Sequence, residues 1–217
     1  MKAEIEYLEK TLLDDNNVEY AADLIIVGGG PAAIVASQYA LRGDMKVIIF
    51  EPRELARKVS HHKVWYLPGL EGPIGGSECA RILGAQVRCQ IIQEEVSRVI
   101  SRDPKRQVVY TDEKQYYARA VLIATGLRRR NLGVPGEEDF RSRGVFIALD
   151  AIPNVECVKS LVDLDQYGFI KTSEDMMTKT PGIFAAGDVR TKYLRQVVTA
   201  AADGATAALA IENYLRE

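Results

Sequence analysis

The run Asp23-Leu-Ile-Ile-Val-Gly28-Gly-Gly30-Pro-Ala-Ala33 narrows the folding choices of this chain more than any other segment. It reads as a buried apolar strand, a glycine turn and the opening of a helix. Gly28 permits the tight turn, Gly30 lets the backbone approach a pyrophosphate, and Ala33 is small enough for close packing of helix on strand. Phosphates on such a loop rest on free amide hydrogens at the positive end of the helix. The helix is expected to run through Tyr39-Ala-Leu-Arg to Gly43, and a second strand, Lys46-Val-Ile-Ile-Phe50, ends at Glu51. An acid at that point accepts hydrogen bonds from a ribose. Strand, turn, helix, strand and acid in one unit predict dinucleotide binding, against the alternative of a βαβ unit that holds nothing. No second fingerprint of this kind occurs in the chain.

With 217 residues, the chain fits one large domain or two small ones and buries a sizeable core. A net charge of −2 gives no global reason to bind nucleic acid or an anionic membrane. Arg128-Arg129-Arg130 is the dense basic run and reads as a solvated loop or a phosphate or partner contact. No apolar stretch approaches the roughly 20 residues needed to span a bilayer, and the N-terminus lacks a signal-peptide core, so a cytoplasmic location is expected. Cys79, Cys89 and Cys157 are far apart and odd in number, which predicts neither a disulfide framework nor a C-x-x-C redox motif. Each reads as a small buried apolar residue rather than a nucleophile.

Residues 1–20 are expected to form a helical extension before a single domain over 21–217. A loop-rich stretch from Pro52 to Gly76 follows Glu51, and Ser77 is a candidate cap for a helix through Ile82 and Leu83. Arg88–Ile92 reads as a strand. Val96–Ile100, Gln107–Tyr110 and Gln115–Ala118 alternate around turn residues and read as an antiparallel meander. Ala120–Gly126 and Gly182–Asp188 are each a buried strand running into a small-residue turn, and an Ala-rich helix is expected from Gln196 to Leu215. Gly144–Ala148 is expected to pair with Gly168–Ile170 across a turn at Tyr167-Gly168.

Several of these runs together resemble a known family. Gly28-Gly-Gly-Pro-Ala, Ala124-Thr-Gly126, Leu132-Gly-Val-Pro-Gly-Glu-Glu, Pro181-Gly-Ile-Phe-Ala-Ala-Gly-Asp188 and Arg195-Gln-Val-Val-Thr-Ala-Ala resemble the flavin half of the low-molecular-weight thioredoxin reductases, in the family's order. The resemblance implies FAD as the cofactor. By it, Gly28, Gly30, Pro31 and Ala32 cradle the pyrophosphate, and Glu51, followed by Pro52 and Arg53, holds the adenosine ribose. Val96 borders the adenine, and Ala124, Thr125 and Gly126 line the cofactor's path. Gly187-Asp188 meets the ribityl or pyrophosphate region, and Arg195, Gln196 and Val197 bring a helix N-terminus to the pyrimidine edge of the flavin. A structural alternative for Asp188 is a turn or cap residue.

In the family, a Gly-Arg-Gly-Val segment leads into a C-x-x-C pair and a nicotinamide-binding domain. Here Ser142-Arg-Gly-Val145 passes straight to Phe146-Ile-Ala-Leu-Asp, which resembles the segment after that domain. The NADPH domain and its disulfide are therefore expected to be absent, with the seam near 144–145. Two further departures lie near the flavin. The family's Gly-Gly-Gln is matched by Leu55-Ala-Arg57, and its Glu-Asn-aromatic-Pro-Gly by Trp65-Tyr66-Leu67-Pro68-Gly69. Trp65 and Tyr66 either stack on the ring or pack under the loop. His61, His62 and Tyr66 are the weak catalytic candidates, the histidines as proton donors or as exposed spectators; no ligand spacing for a metal is present.

The expected fold is α/β, a Rossmann-like FAD-binding domain with a central parallel sheet and an added antiparallel β-meander. The expected function is that of an FAD-dependent oxidoreductase or electron-transfer flavoprotein, not a reductase of thioredoxin, exchanging electrons with a protein donor or acceptor. The rival is a non-catalytic flavin-loaded binding or assembly module, or an engineered flavin scaffold. The resemblance also implies a homodimer.

Overall fold

The computed structural model describes residues 21–56, 63–65, 67–69, 71–128, 130, 134–136 and 151–217. Its elements in chain order are β1 (Ala22–Val27), α1 (Pro31–Arg42), β2 (Val47–Phe50), β3 (Lys63–Val64), β4 (Ile74–Gly75), α2 (Gly76–Gly84), β5 (Gln90–Ile92), β6 (Val96–Asp103), β7 (Arg106–Thr111), β8 (Gln115–Ile123), β9 (Leu127–Arg128), β10 (Ile152–Pro153), β11 (Ile183–Ala185) and α3 (Val197–Arg216). The expected helix over 1–20, the strand at Gly144–Ala148 and the seam at 144–145 lie outside the described residues.

The predicted α/β class is observed. A seven-stranded sheet has the order β5-β2-β1-β8-β7-β6, with β11 also on β8. The pairs β1–β2, β1–β8, β2–β5 and β8–β11 are parallel, which places five strands in the spatial order β5-β2-β1-β8-β11. The meander β6–β7–β8 is antiparallel. What reads in sequence as two strands, Gln115–Ala118 and Ala120–Ile123, is one. The first half of β8 pairs antiparallel with β7 (Gln107↔Ala118), and the second half pairs parallel with β11 (Val121↔Ile183).

Alternation along β1 divides the core between two faces. Leu24 and Ile26 pack with Ala33, Ala36 and Ala40 of α1 and Ala207, Ala208 and Ile211 of α3. Ile25 and Val27 pack with Val99, Val109, Val158 and Val189 on the other side. Leu24, Ile25 and Ile26 are fully buried, each worth roughly 1.5–3 kcal/mol of transfer free energy. Small residues dominate the face shared by the helices, so α1 and α3 approach closely: a Cβ on Gly204 would lie 2.2 Å from the Ala32 carbonyl oxygen. A third cluster of Ile34, Ala56, Val64, Cys79 and Leu83 sits under α2.

Ser77 is not the cap of α2; the N-cap is Gly75, with no side-chain capping bond, and Ser77 lies within the first turn. The turn at Tyr167-Gly168 is observed with Gly168 at φ +88°. Ile170 bridges Leu164 and Arg190. No helix among the described residues is long and apolar enough to cross a membrane.

Candidate dinucleotide-binding site

Four parallel strands deliver the motif residues at their carboxyl ends: Gly28 after β1, Glu51 after β2, Ala124 after β8 and Gly187-Asp188 after β11. Ligands of open α/β sheets bind outside those ends, where the strand order reverses, which here is between β1 and β8. At that point the two strand ends touch. Gly28 has φ +109°, and a Cβ there would lie 2.5 Å from the Ala124 carbonyl oxygen. The Gly28 amide donates to Phe50 O at 2.8 Å and the Ala124 amide to Val27 O at 2.9 Å.

Gly30 is different. Its backbone is extended (φ −79°, ψ −177°), and a Cβ added there would meet none of the described residues within 4 Å. Open space therefore faces the N-terminus of α1, whose first position is Pro31. The first intrahelical bond runs from the Ile34 amide to Gly30 O at 3.0 Å, so the amides of Ala32 and Ala33 have no acceptor within the helix. That geometry accommodates an anion.

Glu51 closes one rim. Its Oε2 accepts from the Gly29 amide at 2.8 Å and its Oε1 from the Arg53 amide at 3.2 Å. Each oxygen keeps a second lone pair for a hydroxyl donor. Pro52 and Arg53 are exposed. Beneath the loop, the Ala56 amide donates to Gly29 O at 2.8 Å, and Ala56 adopts a left-handed φ of +54° while almost wholly buried. Alanine here holds a backbone conformation that suits glycine, at a local cost of about 1–2 kcal/mol.

The Ala124–Gly126 turn is locked from the other side. The Thr125 hydroxyl donates to Asn154 O at 2.6 Å, and the Asn154 amide donates to Gly126 O at 3.0 Å. Beyond it, β9 and β10 form a short antiparallel ribbon. Gly187, at φ +78°, opens a 3-10 turn through Val189 that carries Asp188, and a Cβ on Gly187 would come within 3.0 Å of the Ala32 Cβ. The Asp188 turn and the phosphate-loop helix are thus in direct contact.

At the start of α3, Gln196 is the N-cap, and its amide donates to the Thr199 hydroxyl at 3.2 Å. Val197 packs on the cluster under α2. The Arg195 guanidinium lies 3.9 Å from the Phe169 ring centroid, and its buried Nε has no hydrogen-bond partner among the described residues. Val96 opens β6, half-buried against the meander-side core. Trp65 follows β3 with 51% of its surface exposed. His61, His62 and Tyr66 lie outside the described residues.

Asp203 and Gly204 of α3 join this assembly without having been singled out in the sequence. Asp203 accepts from the Gly187 amide at 3.0 Å, and Gly204 seats α3 on Ala32. The signal was present: a carboxylate at helical spacing from Ala200, Ala207 and Ile211 falls on a buried stripe. All three cysteines are free. Burial, with Glu156 and Glu95 adding to it, pushes the Cys157 thiol up to about 11, and burial raises Cys79 and Cys89 as well. None of them is set up as a nucleophile. Among the described residues no group of three or more His, Cys, Asp or Glu side chains is placed to hold a metal ion.

The open space before Gly30, the α1 amides that have no acceptor within the helix, the acid on the rim and the glycine contacts that bring the strand ends together all suit a dinucleotide. The sequence profile of the pyridine nucleotide-disulphide oxidoreductases matches residues 22–151 and 138–204. The thioredoxin reductase of Treponema pallidum is 26% identical over 298 aligned positions, covering 89% of this chain and 97% of that protein. The structure of Lactococcus lactis thioredoxin reductase superposes with a TM-score of 0.82 at 20% identity, covering 90% of this chain and 99% of that one. A ferredoxin-flavin thioredoxin reductase of Clostridium acetobutylicum superposes at 0.69 and 19% identity, covering 90% and 97%. With more than half of its length matched by that profile, the chain belongs to the pyridine nucleotide-disulphide oxidoreductase family, and its likeness within it is to thioredoxin reductases.

Proposed function

We propose that this chain is an FAD-binding flavoprotein that exchanges electrons with a protein partner and lacks the nicotinamide domain of its relatives. The observation that carries the reading is the convergence of four strand ends on open space at Gly30. The Ala32 and Ala33 amides hold the pyrophosphate, Glu51 holds the adenosine ribose, and Ala124–Gly126 line the path between them. Asp188 binds the ribityl or pyrophosphate portion, and the N-terminus of α3 at Arg195–Val197 orients the pyrimidine edge, where positive potential favours an anionic reduced ring. FAD, when bound, supplies a two-electron carrier.

Two observations support the missing domain. The alignment with the Treponema pallidum protein is longer than the 217-residue chain itself. The family profile matches in two segments that share residues 138–151, the stretch around the expected seam. The unpaired cysteines, Cys79 and Cys157 buried and Cys89 half-buried, support a chain with no dithiol relay of its own. A likeness to a ferredoxin-flavin enzyme agrees with a protein, rather than NADPH, as electron donor.

The purified chain, reconstituted with FAD, should be yellow, and dithionite should bleach it far faster than NADPH does. Rapid bleaching by NADPH would remove the claim about the missing domain. A chain that takes up no FAD would remove the flavin reading.

A further inference from the structure

The Asp203 carboxylate is a charge in the middle of a helix with only 10% of its side chain exposed. Such a burial is unfavourable unless donors surround the group. Three do, and all come from the segment that follows β11. Its Oδ2 accepts from the Gly187 amide at 3.0 Å and from Lys192 Nζ at 2.7 Å, and its Oδ1 accepts from an Arg190 Nη at 3.3 Å. Lys192 and Arg190 are themselves 8% and 15% exposed at their side chains. Arg190 is held from its other side by Nε donating to the Thr172 hydroxyl at 2.8 Å.

The next residue, Gly204, touches a different part of the site. A Cβ there would overlap the Ala32 carbonyl at 2.2 Å, and one on Gly187 would meet both Ala32 and Ala200. One turn of α3 therefore grips two things: the Asp188 turn through Asp203, and the phosphate-loop helix through Gly204. α3 thus sets how the Asp188 turn stands against the phosphate-loop helix.

We propose that Asp203 is a positioning residue for the dinucleotide: it binds the Gly187 amide, with Lys192 and Arg190 as its counter-charges, and so fixes where Asp188 stands relative to the α1 N-terminus. It touches no part of the ligand itself. The inference deepens the FAD reading above and rests on it for its binding readout.

The test compares the full chain with D203N and with I211V, a control that removes one methyl from the buried face of the same helix. Three quantities are read: the FAD dissociation constant, hydrogen exchange of the Gly187–Val189 amides in the FAD-free protein, and thermal unfolding. D203N should speed exchange in that turn at least tenfold and weaken FAD at least tenfold, while I211V leaves both within twofold. FAD affinity of D203N within twofold of the unmodified chain would overturn the inference, as would an equal loss in I211V. Should D203N fail to fold, K192M carries the test: it removes one counter-charge, keeps the Gly187 bond, and should weaken FAD three- to tenfold, an unchanged affinity being the overturning result. If the unmodified chain binds no FAD, the cofactor reading fails, and exchange at Gly187 in D203N still decides the positioning role.

Discussion

Gly28 and Gly30 stand two residues apart in one loop, yet glycine is needed at each for a different reason. At Gly28 the backbone is left-handed and a side chain would drive into the Ala124 carbonyl. At Gly30 the backbone suits any residue and the protein leaves room for one. G28A should therefore cost stability, about 2–4 kcal/mol from strain and overlap together. G30A should leave the unfolding midpoint of the cofactor-free protein within about 0.5 kcal/mol and weaken FAD tenfold or more. Urea melts and fluorescence titration separate the two outcomes; equal destabilisation by both would sink the assignment of Gly30 to ligand contact. The cysteines give a second check. With Cys157 near 11, roughly one thiol in a thousand is ionised at pH 8, and both Cys79 and Cys157 are buried. A thiol reagent should label Cys89 alone in the native chain and all three after unfolding. Two or more rapidly labelled thiols would contradict the packing of α2 or of the Val155–Val162 segment.

Among the elements, the turn over residues 165–170 has a pH dependence that can be read from its bonds. Partial burial pushes the Asp165 carboxyl up, but the Phe169 and Tyr167 amides and the Thr191 hydroxyl outweigh it and hold the group below the ordinary aspartate value. The bonds are 3.0, 2.8 and 3.0 Å long. A carboxyl lowered on folding stabilises fully above its unfolded value of about 4, and that contribution is lost as the pH falls through the lower, folded value. The protection of the 165–170 amides, taken against the intrinsic exchange rate at each pH, should fall below about pH 4, and D165N should remove that acid sensitivity. Because Phe169 carries the Arg195 guanidinium on its ring, loosening this turn also frees the entrance to α3. The elements were legible in unequal measure. The β1–α1–β2 unit announced itself because buried strand, glycines and acid are all local in sequence. The continuity of β8 did not, because its two halves face different partners and therefore show two hydrophobic patterns. Ser77 misled for a related reason: its residue type suits a cap, but the chain enters the helix two residues earlier, at Gly75.

At the scale of the whole molecule, the site is assembled from segments as far apart as Gly28 and Asp203, so ligand and fold are thermodynamically linked. Sequence revealed the contact segments through small-residue motifs, but not the link from α3 to the Asp188 turn, which depends on a buried ion cluster of Asp203 with Arg190 and Lys192 that no local motif encodes. FAD at a hundredfold excess over its dissociation constant adds about 2.7 kcal/mol to stability. For a domain of this size that raises the melting temperature by about 5–11 °C, measurable by calorimetry with and without FAD. No shift at saturating FAD would place the flavin outside the folded crevice. The ribbon of β9 and β10 has a consequence of its own. Residues 127–128 and 152–153 are clasped together, and Thr125 is stapled to Asn154, so the chain leaves the sheet and returns to it at one point. A host built this way can surrender a passenger domain, or be given a foreign one, without either cut end having to find the other. That makes the ribbon at 127–128 and 152–153 the natural graft point for anyone wishing to hang a new domain on this chain.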